Sequence, residues 1–174
     1  NFTLDQLPLL AQNPAPTFVF AHILVPHPPY VFLPDGTLVE DENYYGGPKS
    51  SAINDKYERL GYLNGIQYIN QRMQGILTRI LAESDTPPII FIMGDHGLKN
   101  ENRSKILSAY YLPEIPNLSS GSHIELYESI SPVNAFRVIF NRYFGTDYPF
   151  LPDNSYTLEG AAAPETSSRC LVGK

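Results

Sequence analysis

Two apolar runs and one long periodic segment organise this sequence. Residues 88–93 read Pro-Ile-Ile-Phe-Ile-Met and are bounded by Pro87-Pro88 and Gly94. A short unbroken apolar run of this kind predicts a strand buried on both faces. Residues 17–24, Thr-Phe-Val-Phe-Ala-His-Ile-Leu, predict a second such strand. Between them, residues 51–82 place apolar side chains at Tyr57, Leu60, Leu63, Ile66, Ile69, Met73, Ile76, Leu77, Ile80 and Leu81. Spacing by threes and fours predicts a helix, with Asn54 or Asp55 as its cap. A strand, a helical crossover and a strand form a right-handed β-α-β unit with parallel strands. The expected fold class is therefore α/β, with a mostly parallel sheet and flanking helices.

The remaining pattern is shorter-ranged. Residues 4–11 predict a short helix that Pro8 bends, and Asn13-Pro14-Ala15-Pro16 breaks the chain before the first strand. Residues 31–50 predict a loop with a turn at Pro34-Asp35-Gly36. Residues 106–112 predict a third strand stopped by Pro113. Ser131-Pro132 is a strong helix start, a serine N-cap followed by proline in the first turn, and that helix runs to Gly145. Gly61, Gly65 and Gly75 each cost the long helix about 1 kcal/mol relative to alanine. Gly61 and Gly65, four apart, would permit close packing on a sheet. Residues 1–158 are expected to form one domain and 159–174 a flexible tail.

Composition narrows the function classes. The chain has 174 residues and a net charge of −6, with no basic stripe, so nucleic acid is not an expected partner. A negative protein acting on anionic groups needs a local cation, which favours a metal over a basic patch. The single cysteine, Cys170, excludes an internal disulfide and a cysteine-rich metal site. No apolar run approaches the ~20 residues that span a bilayer, and no signal peptide is apparent. The start at Asn1 without methionine suggests a piece excised from a longer protein.

The candidate chemistry sits at strand ends. Asp95-His96-Gly97 follows the 88–93 strand directly, and in open α/β sheets ligands bind beyond the carboxyl ends of strands. Asp95 and His96 can supply a carboxylate oxygen and an imidazole nitrogen to a divalent cation. The plainer alternative is an aspartate opening a turn beside a solvent-facing histidine. His22 lies in or at the end of the other apolar strand, and His27 follows in Val25-Pro26-His27-Pro28-Pro29-Tyr30. His22 reads equally as a buried histidine bonded to backbone, and His27 as an exposed loop residue. The three prolines around His27 stiffen its loop, which suits a side chain held toward a site. His123 falls in a polar loop.

The order of these motifs resembles the C-terminal half of the alkaline phosphatase/sulfatase superfamily. The sequence His-Ile-Leu-Val-Pro-His-Pro-Pro-Tyr, the long helix, Pro-Ile-Ile-Phe-Ile-Met-Gly-Asp-His-Gly and Leu-Ser-Ala-Tyr-Tyr-Leu-Pro carry that likeness over roughly residues 2–157. The relatives suggested are membrane-anchored bacterial sulfatase-like proteins, a group that includes lipoteichoic acid synthases and phosphoethanolamine transferases. The resemblance implies an incomplete sulfatase-like domain. It implies Asp95 and His96 as ligands of a divalent metal (Zn, Mn, Mg or Ca), and His22 and His27 as contacts to substrate phosphate or to metal. It also implies a phosphate- or sulfate-ester substrate, lipid-linked in some relatives, and a site on the extracytoplasmic side of a bacterial membrane. The piece itself is expected to be soluble. The nucleophile and a further acidic metal ligand are expected upstream, because Thr3 and Asp5 lie in the wrong context to serve. The piece alone is then expected to be inactive, and its open sheet edge to favour self-association. Leu98 stands where relatives often carry proline, and His123 as an extra metal histidine competes with a simple loop role. The alternative reading is a non-catalytic sulfatase-like binding or scaffolding domain.

Overall fold

The computed structural model of the chain describes residues 2–40, 51–97, 105–115 and 126–154. Most of the acidic stretch around Tyr44, the loop after Gly97, His123 and the tail with Cys170 lie outside them. The chain divides into two compact units, Asn1–Pro88 and Ile89–Lys174.

The first unit is built on helix α2, Ser51–Glu83. Helix α1, Phe2–Gln6, leads into a 3-10 helix, Leu7–Gln12. The change of helix type falls next to Pro8, which lacks an N–H to donate into an α-helical ladder. Together they strap the C-terminal half of α2. Leu4 and Pro8 are buried, Asp5 pairs with Arg72, and Gln12 Nε2 donates to Glu83 Oε2 at 3.1 Å. Glu83 also accepts from Arg79 Nε at 2.9 Å.

The N-terminal half of α2 carries residues 25–39. The turn expected at Pro34-Asp35-Gly36 is present: Gly36 N donates to Leu33 O at 2.9 Å, and Gly36 takes a left-handed φ of 86°. Asp35 Oδ1 accepts from Thr37 N and Oγ1 at 2.9 and 2.7 Å. Around that turn the chain doubles back, with a bridge between Phe32 and Leu38. Phe32 stacks on Tyr68 of α2, ring centroids 4.5 Å apart. Tyr30 and Val39 form a small core with Leu33, Tyr57 and Tyr62 packed against it.

The buried stripe of α2 therefore runs through Gly61, Gly65, Tyr68 and Ile76. It does not follow the apolar periodicity, since Leu60, Leu63 and Leu81 are exposed. An apolar count gives no weight to glycine, yet Gly61 and Gly65 are where the chain comes closest to the helix. Close packing at these glycines is present, but their neighbours are residues of the 25–30 loop rather than a sheet.

Residues 17–24 form no strand among the described residues. They carry no regular secondary structure, and Phe18 and Phe20 are both 83% exposed. A strand is completed by the backbone of a neighbour, and the described residues place none beside it. The described sheet is a pair in the second unit: β1, Ile90–Met93, and β2, Ser108–Tyr111, run antiparallel with Phe91 opposite Tyr110. Gly94 N donates to Leu107 O at 2.9 Å and carries the ladder one step further. Both strands fall where the apolar runs placed them, whereas the parallel order of a β-α-β crossover does not appear among the described residues.

Helix α3, Pro132–Phe144, follows its sequence signals closely. The Ser131 side chain caps its start, accepting from Asn134 N, and Gly145 ends it in the left-handed region with φ 66°. Phe136 meets Phe91 of β1 edge-on at 5.1 Å between centroids, and Tyr143 Oη donates to Pro113 O at 2.6 Å. Residues 148–153 return along α3, held by polar side chains on one helical stripe. Asn141 exchanges two hydrogen bonds with the Tyr148 backbone, and Arg137 Nε donates to Pro149 O. Asn134, fully buried, exchanges two with the Leu151 backbone. Asn134 Nδ2 also reaches Asp153 Oδ1 at 2.9 Å, and Tyr127 Oη donates to Asp153 Oδ2 at 2.5 Å. Partial burial pushes the Asp153 carboxyl up, but hydrogen bonds from Ser131, Tyr127 and Asn134 outweigh it and hold it below the usual aspartate range.

Candidate functional site

Asp95 and His96 sit just past β1, at the end that Gly94 ties to Leu107. Local hydrogen bonds orient both side chains. Asp95 Oδ1 accepts from His96 N at 2.9 Å. His96 Nδ1 lies 2.8 Å from Gly97 O. A carbonyl oxygen only accepts, so Nδ1 carries the proton, and in the neutral ring Nε2 keeps its lone pair. The two remaining atoms are close together: His96 Nε2 lies 3.6 Å from Asp95 Oδ2.

This arrangement fits a divalent cation. Metal-binding imidazoles commonly donate the other ring N–H to a carbonyl or carboxylate, which sets the tautomer and aims the lone pair. Nitrogen and oxygen ligands bind zinc at about 2.0–2.2 Å, so two such bonds can close on one cation across the gap between Nε2 and Oδ2. Two donors do not fill a metal's coordination sphere. Among the described residues no cluster of three or more histidine, cysteine, aspartate or glutamate side chains is assembled. The Asp95 side chain is 86% exposed, and a solvent-facing aspartate–histidine pair without a cation contributes little to stability.

His27 belongs to the first unit and is held in a comparable way. Its backbone N donates to Leu24 O at 2.6 Å, and its Nδ1 donates to Pro28 O at 2.6 Å. His27 is exposed, and with Nδ1 engaged, Nε2 is the ring nitrogen left uncommitted. The peptide bonds Val25–Pro26 and Pro28–Pro29, on either side, are cis. His22 is exposed on the 17–24 segment, so the buried alternative for it does not hold.

Two features here escaped the sequence reading. One is the carbonyl that each of His27 and His96 uses to fix its ring; it comes from the next residue, and only backbone geometry reveals it. The other is Tyr30. It is buried against Gly61, and its hydroxyl is pushed up to about 12 by burial and then by the nearby charges of Glu58 and Tyr62. The Pro-Pro-Tyr sequence was a visible mark of that anchor.

Among the described residues no helix is long and apolar enough to cross a membrane. No protein-family model, curated protein or solved structure matches this chain.

Proposed function

We propose that this chain is part of a metal-dependent sulfatase-like hydrolase or phosphotransferase that acts on phosphate or sulfate esters at the cell envelope. The observation that carries this reading is the Asp95–His96 pair: Nδ1 is committed to Gly97 O, and Nε2 lies 3.6 Å from Asp95 Oδ2. The order of the sequence motifs, of which this pair is one, also supports it. In this reading the sheet is part of a larger α/β domain, the parent protein is anchored on the extracytoplasmic side of a bacterial membrane, and the substrate is in some cases lipid-linked.

Asp95 and His96 would hold the divalent metal, which when bound would stabilise charge on the transferring group and acidify a hydroxyl nucleophile. Asp95 contributes a charged oxygen that needs no further proton loss. His96 contributes an aimed lone pair. By the resemblance, His22 and His27 would contact substrate phosphate or a metal. The nucleophile and further metal ligands come from residues outside this chain, so the chain by itself has no turnover.

Calorimetric titration with Mn²⁺ and Zn²⁺ tests this, on the wild type and on the Asp95→Ala/His96→Ala double variant. Saturable binding of about one metal by the wild type alone is expected. Equal binding by both, or none by either, would remove the metal reading and leave a sulfatase-like binding or scaffolding domain.

A further inference from the structure

Of the three glycines in α2, two lie under a packed loop and one does not. A Cβ built on Gly61 would sit 2.4, 2.5 and 2.6 Å from Cγ, Cδ2 and Cβ of Tyr30. A Cβ on Gly65 would sit 2.9 Å from Pro26 Cβ and 3.2 Å from Pro26 Cα. A Cβ on Gly75 would meet nothing within 4 Å. Close approach is therefore specific to the first two. Their spacing of four puts them one above the other on a single helix face, and side-chain-free positions let a backbone come close.

The residues they touch bracket His27: Pro26 directly before it, Tyr30 just after Pro28-Pro29. Tyr30 is only 5% exposed, so it anchors one end of the bracket. The Pro26 contact includes a backbone atom, which cannot rotate aside. Between these anchors, His27 uses its N–H on Leu24 O and its Nδ1–H on Pro28 O. An exposed histidine on a free loop has no reason to keep one ring orientation. This one has both ends of its loop seated on a helix.

We infer that Gly61 and Gly65 are positioning residues for His27: together they form a seat on α2 that fixes the 25–30 loop, and with it a His27 imidazole whose Nε2 alone remains open. Open Nε2 offers a lone pair to a metal, or an N–H to a phosphate oxygen once the ring is protonated. This deepens the proposed role of His27 and rests on that reading only for the identity of the ligand.

The test is the His27 tautomer, read by ¹⁵N–¹H correlation on the full chain with labelled histidine at alkaline pH, where imidazoles are neutral. The wild type should be in the Nδ1–H form. Gly65→Ala should move His27 toward the Nε2–H form while the helical circular dichroism is retained. Gly75→Ala should leave it unchanged. A wild-type His27 in the Nε2–H form would overturn the inference without any variant, and so would an unchanged Nδ1–H form in a folded Gly65→Ala. The ligand role is checked separately by adding Zn²⁺ or inorganic phosphate to the wild type. No response at His27 Nε2 to either would count against that role alone and leave the seat standing.

Discussion

Replacing a helix glycine with alanine should have opposite effects at two positions of the same helix. Alanine is favoured over glycine in a helix interior by about 1 kcal/mol, because it loses less backbone entropy on folding. At Gly75 nothing opposes that gain. The new Cβ meets no atom within 4 Å, and Gly75 borders an open cavity of about 360 Å³ whose lining includes Leu4, Pro8 and Ile76. Gly75→Ala should therefore be more stable than wild type by about 1 kcal/mol. At Gly61 the same methyl would lie within 2.6 Å of three carbons of the buried Tyr30 side chain. Ordinary carbon contacts are about 3.5–4.0 Å, so the ring must shift by roughly an ångström or leave its site. Overpacking of this kind costs about 1–3 kcal/mol, and three simultaneous overlaps place Gly61→Ala toward the upper end. After the helix gain is subtracted, that variant should be less stable than wild type, and the two variants should differ by about 2–3 kcal/mol. Urea denaturation followed by far-ultraviolet circular dichroism reads this as midpoints moving in opposite directions at constant slope. Equal stabilisation by both substitutions would refute the argument, because it would mean that Tyr30 does not rest on Gly61.

Two further outcomes follow from buried polar groups. Asn134→Ala should cost about 2–4 kcal/mol, because it strands the Leu151 N–H and C=O and removes a donor to Asp153 in a fully buried position; a thermal-melting loss within that of an exposed control such as Asn70→Ala would contradict it. Tyr30 should be among the last tyrosines to ionise, near its value of about 12. Since its folded pKa is raised, its contribution to stability is fully present below the unfolded value of 10.0 and is lost as pH rises toward 12. Tyr30→Phe should accordingly flatten the alkaline loss of stability measured by urea unfolding between those limits, and an unchanged slope would count against the burial of that hydroxyl.

How much could be read beforehand depended on whether the signal was local. Helix α3 was legible to the residue because its start and stop are set by Ser131, Pro132 and Gly145, each acting within one turn. The interruption of the first helix near Pro8 and the turn at Gly36 were legible for the same reason. Strands β1 and β2 were legible as apolar runs, but their antiparallel pairing was not, because an apolar run specifies burial and not its partner. Residues 17–24 show the limit of that inference: their composition asks for a sheet, and none of the described residues supplies one. The close packing at Gly61 and Gly65 was legible from their spacing, but its partner was not: Tyr30 and Pro26 lie there instead of a sheet. At the candidate site, the residue types at Asp95, His96 and His27 were visible. The hydrogen bonds that fix their rings were not.

Those ring-fixing bonds share one device. His96 donates Nδ1–H to the carbonyl of Gly97, and His27 donates its own to the carbonyl of Pro28. In both cases the acceptor belongs to the next residue, so the imidazole is oriented by its own stretch of backbone rather than by distant packing. The two differ in what holds that backbone. At His96 it is the end of the β1–β2 ladder, through Gly94 and Leu107. At His27 it is the glycine face of α2. Preorganisation lowers the ordering cost of binding, and it is of most use where few donors are present, as with the two donors of Asp95 and His96. It also separates function from stability. The Asp95 side chain is largely exposed and His96 is partly so, and their bonds reach only adjacent residues, so removing both side chains should leave the β1–β2 pair and α3 intact. Loss of metal binding in Asp95→Ala/His96→Ala, with an unchanged urea midpoint, would therefore report on the site itself; a large drop in the midpoint would instead show that the pair holds the strand end together.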